Sequence, residues 1–71
     1  MDILGTIRGI IDQLAGRSVE QVAPETDISE IFSDPFDREE LILDVENTFN
    51  VLIPENDVHT VGDLARLVAV A

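Results

Sequence analysis

The stretch Asp34 to Phe49, D-P-F-D-R-E-E-L-I-L-D-V-E-N-T-F, constrains the fold more than any other part of the chain. Its composition and spacing allow little besides an amphipathic helix with a marked start. Asp34 is a suitable N-cap, because its carboxylate can accept from the free N–H groups of a first helical turn. Pro35 follows at the first helical position, where its missing N–H costs nothing and its fixed φ suits a helix. Asp37, Glu39 and Glu40 complement the positive end of the helix dipole. At roughly 100° per residue, Leu41, Ile42, Val45 and Phe49 share one broad face of core character. Phe36 and Leu43 fall on a different side, flanked by Glu39, Glu40, Asp44 and Glu46. From pattern alone two readings of that second strip stand. It either completes the core, as apolar stripes usually do, or it docks onto a basic partner.

Two further helical patterns surround this one. Ile3, Leu4, Ile7, Ile10, Ile11 and Leu14 recur at intervals of three and four, predicting a helix from about Asp2 to Ala15 that stops at Gly16. Gly5 and Gly9 weaken it, and either leave room for a neighbouring helix to approach closely or are simply tolerated on an outer face. Near the end, T-V-G-D at Thr60 to Asp63 reads as a variant capping box, with Val61, Leu64, Leu67 and Val68 as the buried face behind it. Between the first two helices lies a long connection, Arg17 to Ser33. Val19 and Val22 suggest a short helical turn there, ended by Pro24. Ile28, Ile31 and Phe32 predict that the connection is pinned to the core. Val51 to Ile53 reads as a short extended apolar stretch, and Pro54 to Asp57 as an acidic turn.

The expected fold is therefore all-α: three main helices plus one short helical turn, with a long first loop, in a single domain over 1–71. A chain of 71 residues has a small core, and without cysteine it has no disulfide, thiolate nucleophile or Cys-based metal site to support it. Fifteen acidic residues face four arginines, for a formal charge of −11. That balance disfavours nucleic acid and anionic membranes and favours a basic protein face, where charge speeds and orients encounter. No apolar run is long enough to span a bilayer, and M-D-I-L-G-T-I-R lacks the pattern of a signal peptide, so a cytoplasmic monomer is expected.

Catalytic and metal chemistry find no support. His59 is the only histidine, and Ser18, Ser29 and Ser33 have no base beside them in sequence. There is no calcium-loop or zinc spacing, and the glycines are not clustered as a phosphate loop requires. No catalytic or metal-binding residue is assigned, and an enzyme is not expected.

Taken together, four segments resemble the acyl carrier protein family, and the similarity covers nearly the whole chain. I-R-G-I-I-D-Q-L (Ile7 to Leu14) resembles the family's first helix, and Asp27 to Phe32 the loop leading to its prosthetic-group site. E-L-I-L-D-V-E-N-T-F-N-V-L-I-P (Glu40 to Pro54) resembles its E-L-V-x-x-L-E-x-x-F-x-x-x-I-P stretch without a gap. T-V-G-D-L (Thr60 to Leu64) resembles the start of its last helix. The resemblance implies a helical bundle that carries a 4′-phosphopantetheine arm on a serine in an Asp-Ser-Leu motif. It also implies acidic and apolar side chains that meet basic patches on partner enzymes of fatty acid, aminoacyl or polyketide metabolism. Carried over by position, Glu40, Leu43 and Glu46 match partner-facing positions and Phe36 matches the motif's leucine. With Asp37, Glu39 and Asp44 they make up the expected partner-binding set.

The departure falls on the decisive residue. Counted back from Leu41, the motif reads Asp34-Pro35-Phe36, so proline stands where the serine is expected. No arm can be held at Pro35. The nearest hydroxyl is Ser33, two residues upstream, and a functional carrier modified at Ser33 is the alternative to an unloaded, acidic interaction module. The Pro54 to His59 stretch is also shorter than the family's usual length, which predicts a third helix reduced to a turn.

Overall fold

The computed structural model describes residues 2–71. It contains four α-helices, α1 (Ile3–Ala15), α2 (Ile28–Ile31), α3 (Pro35–Phe49) and α4 (Val61–Val70), with a 3₁₀ turn at Glu55–Asp57 before the last. No strand forms among the described residues, and the only β pairing there is an isolated bridge between Asp27 and Thr60.

Each long helix begins and ends where its local chemistry dictates. Asp2 caps α1 by accepting the Gly5 N–H at 2.9 Å. Gly16 closes it in the left-handed conformation, φ 71°, which costs glycine nothing. Asp34 caps α3 by accepting the Phe36 N–H at 2.9 Å, Pro35 occupies the first turn, and Asn50 ends the helix at φ 55°. In α4 the capping box is complete: Asp63 N–H donates to Thr60 Oγ1, and Thr60 N–H donates back to Asp63 Oδ2, both at 3.0 Å.

The core is a single cluster of aliphatic side chains and one ring. Ile7 and Ile11 of α1 meet Leu41, Ile42 and Val45 of α3 and Val61, Leu64 and Val68 of α4. Thus α1 packs against both other long helices. The long first loop is pinned, as its apolar residues predict: Val22, Ile28 and Phe32 are buried in that cluster. Asp12 Oδ1 holds the start of the loop through the Val19 N–H at 2.8 Å. The end of the loop is tied to the start of α4 by Ile28 N–H to His59 O (3.0 Å), Val61 N–H to Thr26 O (3.0 Å) and Gly62 N–H to Pro24 O (2.7 Å). A Cβ at Gly62 would lie 2.8 Å from that Pro24 oxygen, so the residue must be small for α4 to sit here.

One sequence expectation changes. Val19 to Val22 is not a helical turn. Gln21 adopts φ 61° and breaks any helix there, while Val22 is buried as an isolated anchor. The helical turn lies further on, at Ile28–Ile31, capped by Asp27 through the Ser29 N–H at 2.8 Å. The bundle is thus the expected three long helices with one short helix, α2, and a 3₁₀ turn before α4. Of the two readings of Gly5 and Gly9, tolerance away from any neighbouring helix is the one that stands. A Cβ at Gly9 would meet nothing within 4 Å, and one at Gly5 would meet only the capping Asp2 side chain.

The segment after α3 runs back along it. From Arg38 to Phe49 the helix rises about 16 Å at 1.5 Å per residue. The five residue steps from Asn50 to Glu55 span at most about the same distance, at 3.3 Å each. The return brings Glu55 beside Arg38, near the start of α3, and places Ile53 and Val58 in the core. The expected reduction of this region to a turn is what the structure has, a three-residue 3₁₀ segment.

Candidate functional site

One side of α3 is committed to the core and two of its charged residues to the returning segment. Arg38 donates to Glu55 Oε1 (3.2 Å), to the Glu55 carbonyl (3.2 Å) and to the Val58 carbonyl (2.6 Å). Glu46 Oε2 accepts the Ile53 N–H at 2.8 Å. Arg38 is the helix's only cation, and this clamp takes it away from the outer face.

The outer face carries Phe36, Glu39, Glu40 and Leu43, spaced at i, i+3, i+4 and i+7. They line one shallow groove of about 280 Å³. Phe36 is 79% exposed and Leu43 51% exposed, so the second apolar strip lies on the surface and does not complete the core. Apolar side chains this open, fenced by carboxylates with no cation among them, form a face suited to an apolar pocket with a basic rim.

The remaining residues expected to bind a partner lie beside this groove. Asp37 and Asp44 project roughly a quarter turn away at 100° per residue. Asp44 lines a separate groove of about 440 Å³ with Ile10, Gln13 and Leu14 of α1 and Asn47 and Thr48 of α3. Glu46 lies on the opposite edge, half-buried, with one carboxylate oxygen engaged by Ile53. The structure therefore brings Phe36, Glu39, Glu40 and Leu43 together and sets Asp37, Asp44 and Glu46 at the margins. Sequence reading assigned Arg38 no role. Its partners lie 17 and 20 residues away, and only the return of the chain brings them within reach.

At the head of α3, Asp34, Pro35 and Phe36 are all exposed. A phosphodiester link to a prosthetic arm requires a hydroxyl, and none of these three side chains has one. Ser33 is exposed and precedes the cap. Ser29, in α2, already donates its hydroxyl to Asp27 Oδ1 at 2.7 Å. That bond and the Ser29 N–H hold the Asp27 carboxyl below its ordinary value. The backbone N–H groups of Thr60 and His59 do the same for Asp63. His59 itself is exposed, and its backbone serves the cap. Among the described residues no group of three or more His, Asp or Glu side chains could hold a metal ion. No helix there is long and apolar enough to cross a membrane.

A small all-helical bundle with one acidic, apolar-striped helix face and a well-capped helix start beside it has the architecture expected of a carrier-type domain. Comparison with known proteins agrees. The family model described as "Phosphopantetheine attachment site" matches residues 5–69, and the chain belongs to that family. It is 31% identical over 68 residues to an acyl carrier protein of Chlorobium phaeovibrioides, covering 94% of this chain and 87% of that protein. It is 38% identical over 60 residues to an acyl carrier protein of Lactococcus lactis subsp. cremoris, covering 83% and 81%. It is also 26% identical over 69 residues to the non-reducing polyketide synthase pks11 of Talaromyces marneffei, covering 97% of this chain but 3% of that protein. No solved structure matches.

Proposed function

We propose that this chain is a carrier-type interaction module that carries no prosthetic arm and works by docking α3 onto the basic face of a protein partner. Acyl or polyketide metabolism is the setting that its relatives suggest. One observation carries the reading. The first helical position of α3 is Pro35, which the resemblance to carriers of this family aligns with their serine, while the adjoining strip of Phe36 and Leu43 remains exposed between Glu39 and Glu40. The helix start is fully formed without a hydroxyl, since Asp34 caps it and Pro35 is suited to the first turn. The chain itself performs no chemistry in this reading and binds no 4′-phosphopantetheine. Docking weakens as salt rises, because the contributing carboxylates are exposed and screened.

The exposed Ser33 is the competing attachment point, and a direct assay separates the two. The full chain is incubated with a phosphopantetheinyl transferase and coenzyme A and its intact mass is measured. The wild-type chain is expected to gain nothing, and Pro35→Ser to gain one arm. A gain by the wild type that disappears in Ser33→Ala would establish Ser33 as the site and end the unloaded reading.

A further inference from the structure

We infer that, once docked on an enzyme that accepts carrier-borne thioesters, this chain closes the mouth of that enzyme's arm channel with the ring of Phe36. The inference rests on the docking reading above and adds what the docked chain does. An arm fixed at the first residue of α3 must leave the bundle at that point. An enzyme receiving it therefore has to place its channel mouth opposite the first turn of the helix. In this chain residue 35 offers no arm, and the next side chain is an aromatic ring that is 79% exposed. The ring projects from a rigid turn. Pro35 has its φ locked, and the Phe36 N–H is held by Asp34 Oδ1 at 2.9 Å. Such preorganisation lowers the entropy lost when the ring is buried, and an aromatic side chain brings a large apolar area to a contact. Glu39 and Glu40, in the same groove, would meet the basic rim that steers a carrier to the channel. A second copy of this chain does not fit the strip, because it would set acid against acid on a molecule of net charge −11.

The experiment uses a carrier-dependent acyl-transferring enzyme, from the organism that encodes the chain, that turns over both a carrier-bound thioester and the matching N-acetylcysteamine thioester. The second substrate enters the channel without docking. Binding of the fluorescently labelled full chain is followed by anisotropy, and both reactions are run at concentrations where binding is saturated. Channel closure predicts inhibition of both reactions. Saturating Phe36→Ala should restore most of the lost turnover of the small thioester, whereas saturating Leu43→Ala should still block it. Inhibition of the carrier-bound substrate alone, or equal inhibition of the small thioester by Phe36→Ala, overturns the inference while leaving docking intact. Absence of binding removes the docking reading itself, and this inference with it.

Discussion

Truncation of Phe36 tests whether the outer strip of α3 serves docking or folding. Full burial of a Phe or Leu side chain stabilises a fold by about 1.5–3 kcal/mol. Phe36 is 79% exposed. The fifth of it that is covered contributes about 0.3–0.6 kcal/mol, and the better helix propensity of alanine offsets part of that. Leu43 is 51% exposed, so Leu43→Ala should cost about 0.7–1.5 kcal/mol. Leu41, two residues earlier and fully buried, gives the contrast, because Leu41→Ala should cost about 2–5 kcal/mol. Urea denaturation of the three variants against wild type measures these differences at the midpoint, with unchanged slopes expected. Binding should show the reverse order. If docking buries the remaining four fifths of Phe36, its removal costs about 1.2–2.4 kcal/mol, or roughly eight- to sixtyfold in Kd. A Phe36→Ala midpoint shift as large as that of Leu41→Ala would refute the reasoning, since the ring would then be acting as core.

Two further outcomes follow from the clamps. Arg38→Ala should destabilise the fold by about 2–3 kcal/mol, because it strips two backbone carbonyls of a charged donor. Glu55→Gln, which removes only a partly exposed ion pair, should cost less than about 1 kcal/mol, and Arg38→Lys should fall between them. Urea denaturation checks all three variants. Acid should loosen the start of α4. Asp63 has its carboxyl lowered in the fold, so its contribution is present above the ordinary value of 3.8 and is lost as the pH falls below it. Asp63→Asn should flatten the acid limb of a stability–pH profile relative to wild type, and an unchanged limb would remove Asp63 from the account.

Much of this architecture was legible in the sequence because its signals are local. Asp34, Pro35 and Asn50 mark both ends of α3 within a few residues, and Thr60 with Asp63 marks the start of α4. The seven-residue spacing of Phe36 and Leu43 placed them on one side, but only coordinates could show that this side faces solvent. What was missed depends on the chain returning on itself or on segments too short to show a period. The four residues of α2 make a single turn, so their pattern could not be told from that of a loop. The left-handed backbone of Gln21 has no glycine or asparagine to announce it. Glu46 reads as a partner-facing acid until Ile53 folds back onto it, and nothing local to Arg38 announces its bonds to Glu55 and Val58. Gly62 carries no local signal that it must be small; that need comes from the Pro24 carbonyl beside it.

The central claim is that this carrier-type bundle works without an arm. Its most direct test is the intact mass of the chain purified from its native source, followed by fragmentation across residues 27–41. The account predicts the mass of the bare polypeptide and unmodified fragments through Ser33 and Pro35. A species heavier by one phosphopantetheine, with the added mass on Ser33 or any other side chain, would contradict it.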